Sequence, residues 1–563
     1  MEAIHSLQTD LATHAHHFYH WERQQPAKIY LRQPVGNHYI DYSWGEVGRQ
    51  ARIMATYLNS LGLPPRSNIG LVSKNCAHWI IADIAILLSG HVSVPFYPTL
   101  TADQLRQVME HSGCPVLFVG KLDNWPAMKP GVPNGVHGIS FPPYGPAAPA
   151  PDPGLMPWED VLKNYEPMLD SPLRRPDDIY TIVYTSGTTG SPKGVMLDMK
   201  AAATFLKAVA PVARLDVKDA RYFSYLPLCH IAERNVVEAG SLTSGGTIYF
   251  AESLDTFAKN LVAARPTHFL AVPRIWTKFQ LGILAKLPQK KLDRLLRIPL
   301  LSDFIKRKIR KGLGLNDAVF ILTGAAPMPI SLIQWFRRLG ITIQEAYGMT
   351  ENLGAVSMMP VDEIKDGTVG KLYDGMDVKI DPDTGEVLTR ADWLMRGYYR
   401  EPEMTAAVLR DGWLYTGDVG ELDENGYLKI TSRVKDMYKT PKGEYVVPAQ
   451  IEFGFADNNF VEQICVAGQN LPQPVALVVL SEMGRHADRM LVAQSLEQTV
   501  SALNPRLHTY ERIRKVVVVK DTWTVENNMM TPTMKIKRNV VEKQYEPRLE
   551  PWYSREETIV WEE

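Results

Sequence analysis

Four short stretches carry side chains whose types and spacing suit phosphate and carboxylate chemistry. The first, YTSGTTGSPKG from Tyr184 to Gly194, sets three glycines, five serine or threonine hydroxyls and Lys193 directly behind the apolar run IYTIV. Glycine lets backbone N–H groups close on an anion and hydroxyls add donors, so the stretch reads as a phosphate cradle, or else as a plain flexible turn. It is not the P-loop of nucleotide hydrolases, because Ser191 and Pro192 follow Gly190 where that loop needs lysine and a hydroxyl. The second, EAYGMTEN from Glu345, offers Glu351 beside Thr350 on a glycine-containing turn. One carboxylate with a hydroxyl is enough for a magnesium ion that arrives on nucleotide phosphates and keeps its waters; the alternative is a solvated glutamate. In the third, YTGDVGELDENGYLKITSRVKD from Tyr415, Asp418 follows Gly417 and Arg433 stands near the end. Such an aspartate suits a ribose diol, or is a turn residue. The fourth, MTPTMKIKRNVV from Met530, presents Lys535, Lys537 and Arg538. A lysine delivered there can neutralise charge developing on a phosphate, while Lys537 and Arg538 read as an ordinary basic tail.

These stretches need elements to hold them. Ser43 and Glu46 have capping-box spacing, and Val47, Ala51, Met54, Leu58 and Leu61 then recur at steps of four and three until Gly62, Pro64 and Pro65 stop the helix. NIGLVS, the apolar helix WIIADIAILLSG from Trp79, and HVSVPFY follow in turn, so strands alternate with helices and predict mainly parallel α/β sheets flanked by helices. The glycine loop would sit at the carboxyl end of the Ile179 strand, where open α/β sheets place ligands. Ten prolines from Pro126 to Pro157 predict an irregular surface excursion. From Lys286 to Lys311, ten basic residues stand against Asp293 and Asp303, which fits a membrane-touching amphipathic helix or a solvated helical face broken by Pro299. Beyond about Asp436, QICV, VALVVLS and IRKVVVV surround one helical stretch, LVAQSLEQTVSAL, and predict a small α+β domain with a boundary between Ser432 and Thr440.

At 563 residues the chain exceeds what one hydrophobic core supports. A composition 45% hydrophobic and 22% charged is that of an ordinary globular protein, and a net charge of −1 gives no global attraction to nucleic acid. Four distant cysteines without metal-site spacing, and an N-terminus without a hydrophobic signal core, predict a reducing cytoplasmic setting. The Trp79 stretch contains Asp83 and is shorter than the about 20 apolar residues a bilayer requires, so it reads as a buried helix.

Taken in order, the stretches resemble the adenylate-forming superfamily of acyl-CoA synthetases, nonribosomal adenylation domains and luciferases. YTSGTTGSPKG matches its signature loop, and YGMTE, YTGD, the Arg433 segment and Lys535 follow in its order across nearly the whole chain. SYLPLCHIAER from Ser224, HFLAVPRIWTKF from His268, LTGAAPMP from Leu322 and KTPKGEYVVPAQIE from Lys439 are similar to long-chain fatty acyl-CoA synthetases. The resemblance implies a large α/β domain over 1–434 for ATP and the acyl group, and a small mobile α+β domain over 435–563 that turns about Lys435. It implies activation of a medium- or long-chain fatty acid by ATP and Mg2+ to an acyl-adenylate, then transfer to coenzyme A; transfer to a carrier-protein thiol is the alternative. Thr185, Ser186, Gly187, Thr188, Thr189 and Gly190 with Lys193 would cradle the β- and γ-phosphates, and Thr185 with Glu351 would hold the metal. Gly324, Ala325 and Tyr347 would form the adenine slot, with Gly348 and Thr350 also at the nucleotide. Asp418 and Arg433 would bind the ribose, and Lys535 would bridge the acyl carboxylate and α-phosphate. His230 would lie near the acyl site, or be a satisfied core histidine, and Gly443 would contact coenzyme A. The sequence departs from the family pattern at Ala346, at Ala391 to Trp393, and at Pro441 and Glu444 in the post-hinge loop. The resemblance is compatible with peripheral membrane contact at an inner face and with a homodimer.

Overall fold

The computed structural model describes residues 12–145, 152–172, 174–185, 193–525, 527–531 and 535–563. Near its start, the Ser43 hydroxyl accepts the Glu46 N–H at 3.2 Å and opens the helix Trp44–Ser60. Its buried Val47, Ala51, Met54 and Leu58 stripe packs on the helix Ala77–Leu88, of which all but one residue is buried. The two helices cover a sheet of eight strands, ordered Gly397–Tyr398, Lys193–Asp198, Ile179–Thr185, Val92–Phe96, Asn68–Val72, Val116–Val119, His137–Ser140 and Met156–Pro157. Six of these run parallel, and the edge pair next to Ile179–Thr185 is antiparallel.

The proline-rich segment corrects the expectation of irregularity. His137–Ser140 pairs in parallel with Val116–Val119, and Met156–Pro157 extends the sheet by one more strand. Prolines punctuate this segment without occupying the ladder positions of His137–Ser140, so they delimit a strand instead of preventing one. Part of the run, 146–151, lies outside the described residues.

A second sheet of nine strands has a parallel centre, Gln344–Tyr347, Phe320–Thr323, His268–Leu270, Arg221–Ser224, Thr247–Phe250 and Ile29–Val35, with antiparallel edges. A third sheet, unforeseen in the sequence, is antiparallel: Asp377–Ile380, Glu386–Arg390, Trp413–Leu422 and Leu409–Arg410, with Leu428–Arg433 also paired to Trp413–Leu422. The C-terminal unit is α+β, with strands Val461–Ala467, Val475–Leu480, Lys515–Val518 and Ile559–Trp561. It holds more than the one helix expected: Pro448–Phe453, Arg489–Leu503 and Arg538–Tyr553 all pack around that sheet. Arg538 is no basic tail residue. It opens the last helix and donates to Glu452 at 2.5 Å and to the Val466 carbonyl at 2.8 Å, knitting that helix to the sheet.

The two parallel sheets meet across buried charge. Arg234 donates to Asp83 at 2.5 Å, to Glu238 at 3.0 Å and to the Thr181 hydroxyl at 2.5 Å, with its guanidinium 5.6 Å from the Trp79 ring and 5.7 Å from the Tyr180 ring. Arg234–Ala239 is a π-helical turn, a widened coil that recurs at functional sites. The basic segment follows the helix Pro273–Lys286 and forms two more, Gln289–Leu296 and Pro299–Gly312, and Pro299 opens the last of them, where a missing N–H matters least. No helix among the described residues is long and apolar enough to cross a membrane. All four cysteines are free and buried.

Candidate active site

Thr185 ends the strand Ile179–Thr185 and is the cross-strand partner of Lys193, so both ends of the glycine loop are fixed. Ser186, Gly187, Thr188, Thr189 and Gly190 lie outside the described residues. Past the loop, the Lys193 ammonium lies 5.5 Å from the centre of the Tyr398 ring. Its pKa is lowered by burial and by Lys435, while Glu351 opposes the shift. Glu351, 6% exposed, is held at both ends: its Oε1 accepts the Tyr398 hydroxyl at 2.7 Å and its carbonyl accepts the Met395 N–H at 2.8 Å. A buried carboxylate with a lysine nearby is a set that a magnesium ion carried on phosphates fits.

The nucleoside end is built from two adjacent parallel strands. Thr323 and Glu345 are register partners, so Gly324 and Ala325, just beyond one strand, lie beside Tyr347 on the next. Ala325 has φ +66°, a left-handed conformation unusual for a residue with a side chain. Gly348 has no alternative to glycine, because a Cβ there would come within 2.1 Å of the Gly354 carbonyl carbon. Thr350 is buried in the short turn Thr350–Asn352. The Tyr347 hydroxyl donates to Asp418 Oδ2 at 2.7 Å, and Arg433 Nε donates to Asp418 Oδ1 at 2.8 Å. Asp418 and Arg433 are themselves cross-strand partners. Each Asp418 oxygen keeps a free acceptor direction, which a diol requires.

Lys535 arrives from the C-terminal unit on a hairpin closed by the Met530–Ile536 bridge and by Thr531 N–H donating to the Lys535 carbonyl at 2.8 Å. The residue is exposed, and its pKa is lowered by desolvation and by Arg433, against the pull of Asp418. In the large unit, His230 caps a short helix by accepting the Ala232 N–H on Nδ1 at 3.3 Å. Burial, then the nearby Lys535, push its pKa down to about 4, so the imidazole is neutral with Nε2 as a donor. Thus Lys535, Asp418, Arg433 and His230 converge. Gly443 does not join them: with φ +89° it closes a turn onto Thr440, between the strands Tyr438–Lys439 and Tyr445–Val446. Lys435 lies in a turn in which the Asp436 N–H donates to the Arg433 carbonyl at 3.1 Å.

Two participants escaped the sequence reading. Tyr398, which orients Glu351 and floors Lys193, stands just past the Ala391 to Trp393 departure and carries no motif of its own. Glu233, three residues past His230, is 1% exposed and accepts the Tyr225 N–H at 2.9 Å, with its Oε2 unpaired. Burial raises its pKa from an ordinary 4.5 to about 8. The folded chain therefore holds this proton more tightly than the unfolded chain, and stability associated with it is full below pH 4.5 and is lost as pH rises towards 8. Glu233→Gln is expected to flatten that part of a stability-versus-pH curve measured by urea unfolding; an unchanged slope would show the carboxyl to be ionised.

The family model for AMP-binding enzymes matches residues 18–399, and that for the AMP-binding enzyme C-terminal domain matches 436–557. The chain belongs to the AMP-binding enzymes. A long-chain-fatty-acid–CoA ligase of Mycobacterium bovis is 30% identical to it over 95% of this chain and 96% of that protein. A long chain acyl-CoA synthetase of Arabidopsis thaliana is 28% identical over 88% of this chain and 84% of its own. The adenylation domain of a carboxylate reductase from Mycobacterium chelonae shares the fold, with a TM-score of 0.78 at 22% identity over 99% of this chain and 93% of that one. As in other AMP-binding enzymes, a large α/β unit is followed by a small α+β one, and here the candidate site lies where the two meet.

Proposed function

We propose that this AMP-binding enzyme is a fatty acid:coenzyme A ligase that uses MgATP in two half-reactions at one site. The convergence of Lys535 on Asp418, Arg433 and His230 carries the reading, because it brings a cation from the small unit to the place where nucleotide and acid would meet. In the first half, a carboxylate oxygen of the fatty acid bonds to the α-phosphorus of ATP and the bond to the β-phosphate oxygen breaks, releasing magnesium pyrophosphate. The carboxylate is already a competent nucleophile, so the work is positioning and charge stabilisation. Thr185, the glycine loop and Lys193 would grip the departing phosphates, and Thr185 with Glu351, oriented by Tyr398, would hold the magnesium ion, which would draw charge off those phosphates. Tyr347, Gly324 and Ala325 bound the adenine, and Asp418 with Arg433 holds the ribose. Lys535 offsets charge on the α-phosphate, and neutral His230 donates from Nε2 towards the acyl group. In the second half, the small domain, 435–563, swings about Lys435 and withdraws Lys535. The coenzyme A thiol gives its proton to solvent, its sulfur bonds to the acyl carbon, and the acyl carbon–oxygen bond to the α-phosphate breaks as AMP leaves.

Relatives that span nearly their whole length with this chain carry names of coenzyme A ligases, which supports that acceptor over a carrier protein. A panel of carboxylic acids scored for both pyrophosphate and acyl-CoA tests the reading. Pyrophosphate release is expected to require a medium- or long-chain acid, with acyl-CoA appearing once coenzyme A is added. Pyrophosphate without acyl-CoA would overturn the second half-reaction, and no acid-dependent pyrophosphate would overturn both. Such acids partition into bilayers, and peripheral contact with a membrane belongs to this reading.

A further inference from the structure

The helices Gln289–Leu296 and Pro299–Gly312 pack against one another and turn their apolar sides inwards. Leu292 is 1% exposed, and Leu296, Ile305 and Ile309 rest on the cluster around Trp276 and Phe336. Once this inner face is satisfied, the outer face has no need of apolar residues. It carries three nonetheless: Ile298 at 49%, Leu300 at 89% and Phe304 at 60% exposure. On the helix Pro299–Gly312, the exposed positions Leu300, Phe304, Arg307, Lys308 and Lys311 follow steps of three and four, so one stripe runs from an apolar tip to a basic base. The neighbouring helix adds exposed Lys290, Lys291 and Arg294, with exposed Arg297 in the connection. None of these seven basic residues has an ion-pair partner among the described residues. Of the two acids in the segment, Asp293 is engaged by Arg338, and Asp303 alone remains on the outer face as a counter-charge.

We propose that this outer face docks the enzyme on an anionic lipid bilayer, with Leu300, Phe304 and Ile298 entering the interface and the lysines and arginines meeting lipid phosphates. Large apolar groups at the tip of a basic helix lower their free energy only where water is excluded, and basic side chains around them can reach headgroups while their stems lie along the apolar boundary. A nucleic acid would satisfy the charge and leave Leu300 in water. A second copy of the chain would set two basic faces against each other. A bilayer answers both features, and the chain's total charge of −1 gives no global attraction of its own, so the pull must be local.

The inference rests on the membrane contact of the proposed function and names the surface that makes it, and it fails separately from the ligase chemistry. The full chain is mixed with vesicles of phosphatidylcholine alone and of phosphatidylcholine with phosphatidylglycerol, and binding is read by co-flotation, alongside pyrophosphate release with a water-soluble acid. Binding to the anionic vesicles that weakens with salt is expected. Leu300→Ser with Phe304→Ser should reduce it about tenfold or more, as should Arg307→Glu with Lys308→Glu and Lys311→Glu, with pyrophosphate release unchanged. A Phe304→Cys variant labelled with an environment-sensitive dye, the four native cysteines being buried, should shift to the blue on anionic vesicles. No binding by the wild type, equal binding by the variants, no dye shift, or retention by a polyanion such as heparin but not by vesicles would each overturn the proposal.

Discussion

Replacing Lys535 by alanine is expected to lower acid-dependent pyrophosphate release by about 10²-fold or more, the loss typical of removing one stabiliser of transition-state charge. Thioester formation from pre-made acyl-adenylate and coenzyme A should survive, because in the proposed scheme Lys535 has left the site by then. The split between the two half-reactions is the diagnostic result. A merely structural lysine would depress both together or neither, and unchanged pyrophosphate release would remove Lys535 from the mechanism. The depressed pKa of this lysine also sets a sign: its charge is lost at a lower pH than that of a free lysine, so adenylation should fall on the alkaline side before thioester formation does.

The second large effect concerns stability. Arg234→Met leaves Asp83 and Glu238 buried without their cation, which is expected to destabilise the large domain by about 3–5 kcal/mol, read from the first urea transition. Burial and Asp83 already push the Glu238 pKa up, and removing Arg234 removes a partner that holds it down. The loss should therefore grow as pH rises. Replacing Asp83, Arg234 and Glu238 together by apolar residues of similar volume should restore much of it, since desolvation of the charges disappears with them. A small loss in the single variant would mean that water reaches the guanidinium.

Much of the large domain was legible because its signals are local. The Ser43 cap, the Val47 to Leu58 stripe and the strands on either side of the Trp79 helix each declare themselves within a few residues. The position of candidate site residues at strand ends, Thr185 and Tyr347 among them, was legible for the same reason: their motifs sit where an apolar run stops. What was missed depends on partners far along the chain. Arg538 looked like tail because nothing near it announces Glu452, 86 residues away, and Tyr398 gains its role only when its edge strand pairs with Lys193–Asp198. Asp83 looked like an interruption in an apolar helix, and its partner lies 151 residues on. The strand His137–Ser140 was hidden because proline density describes the flanks and not the four residues that pair.

The register of Asp418 with Arg433 bears on how the small domain would be aimed. Arg433 is the last laddered residue of its strand, and the turn that holds Lys435 closes back on the Arg433 carbonyl. The proposed swing about Lys435 would thereby be referenced to the Asp418–Arg433 pair. Whatever strain or drift accumulates across the two large sheets, the angle at which Lys535 approaches would then be measured from the same pair that is proposed to hold the ribose. Substitutions elsewhere in the large domain can then shift affinity for the acid without detuning the arc of the lysine, which leaves the acyl pocket free to diverge while the timing of the two half-reactions stays constant.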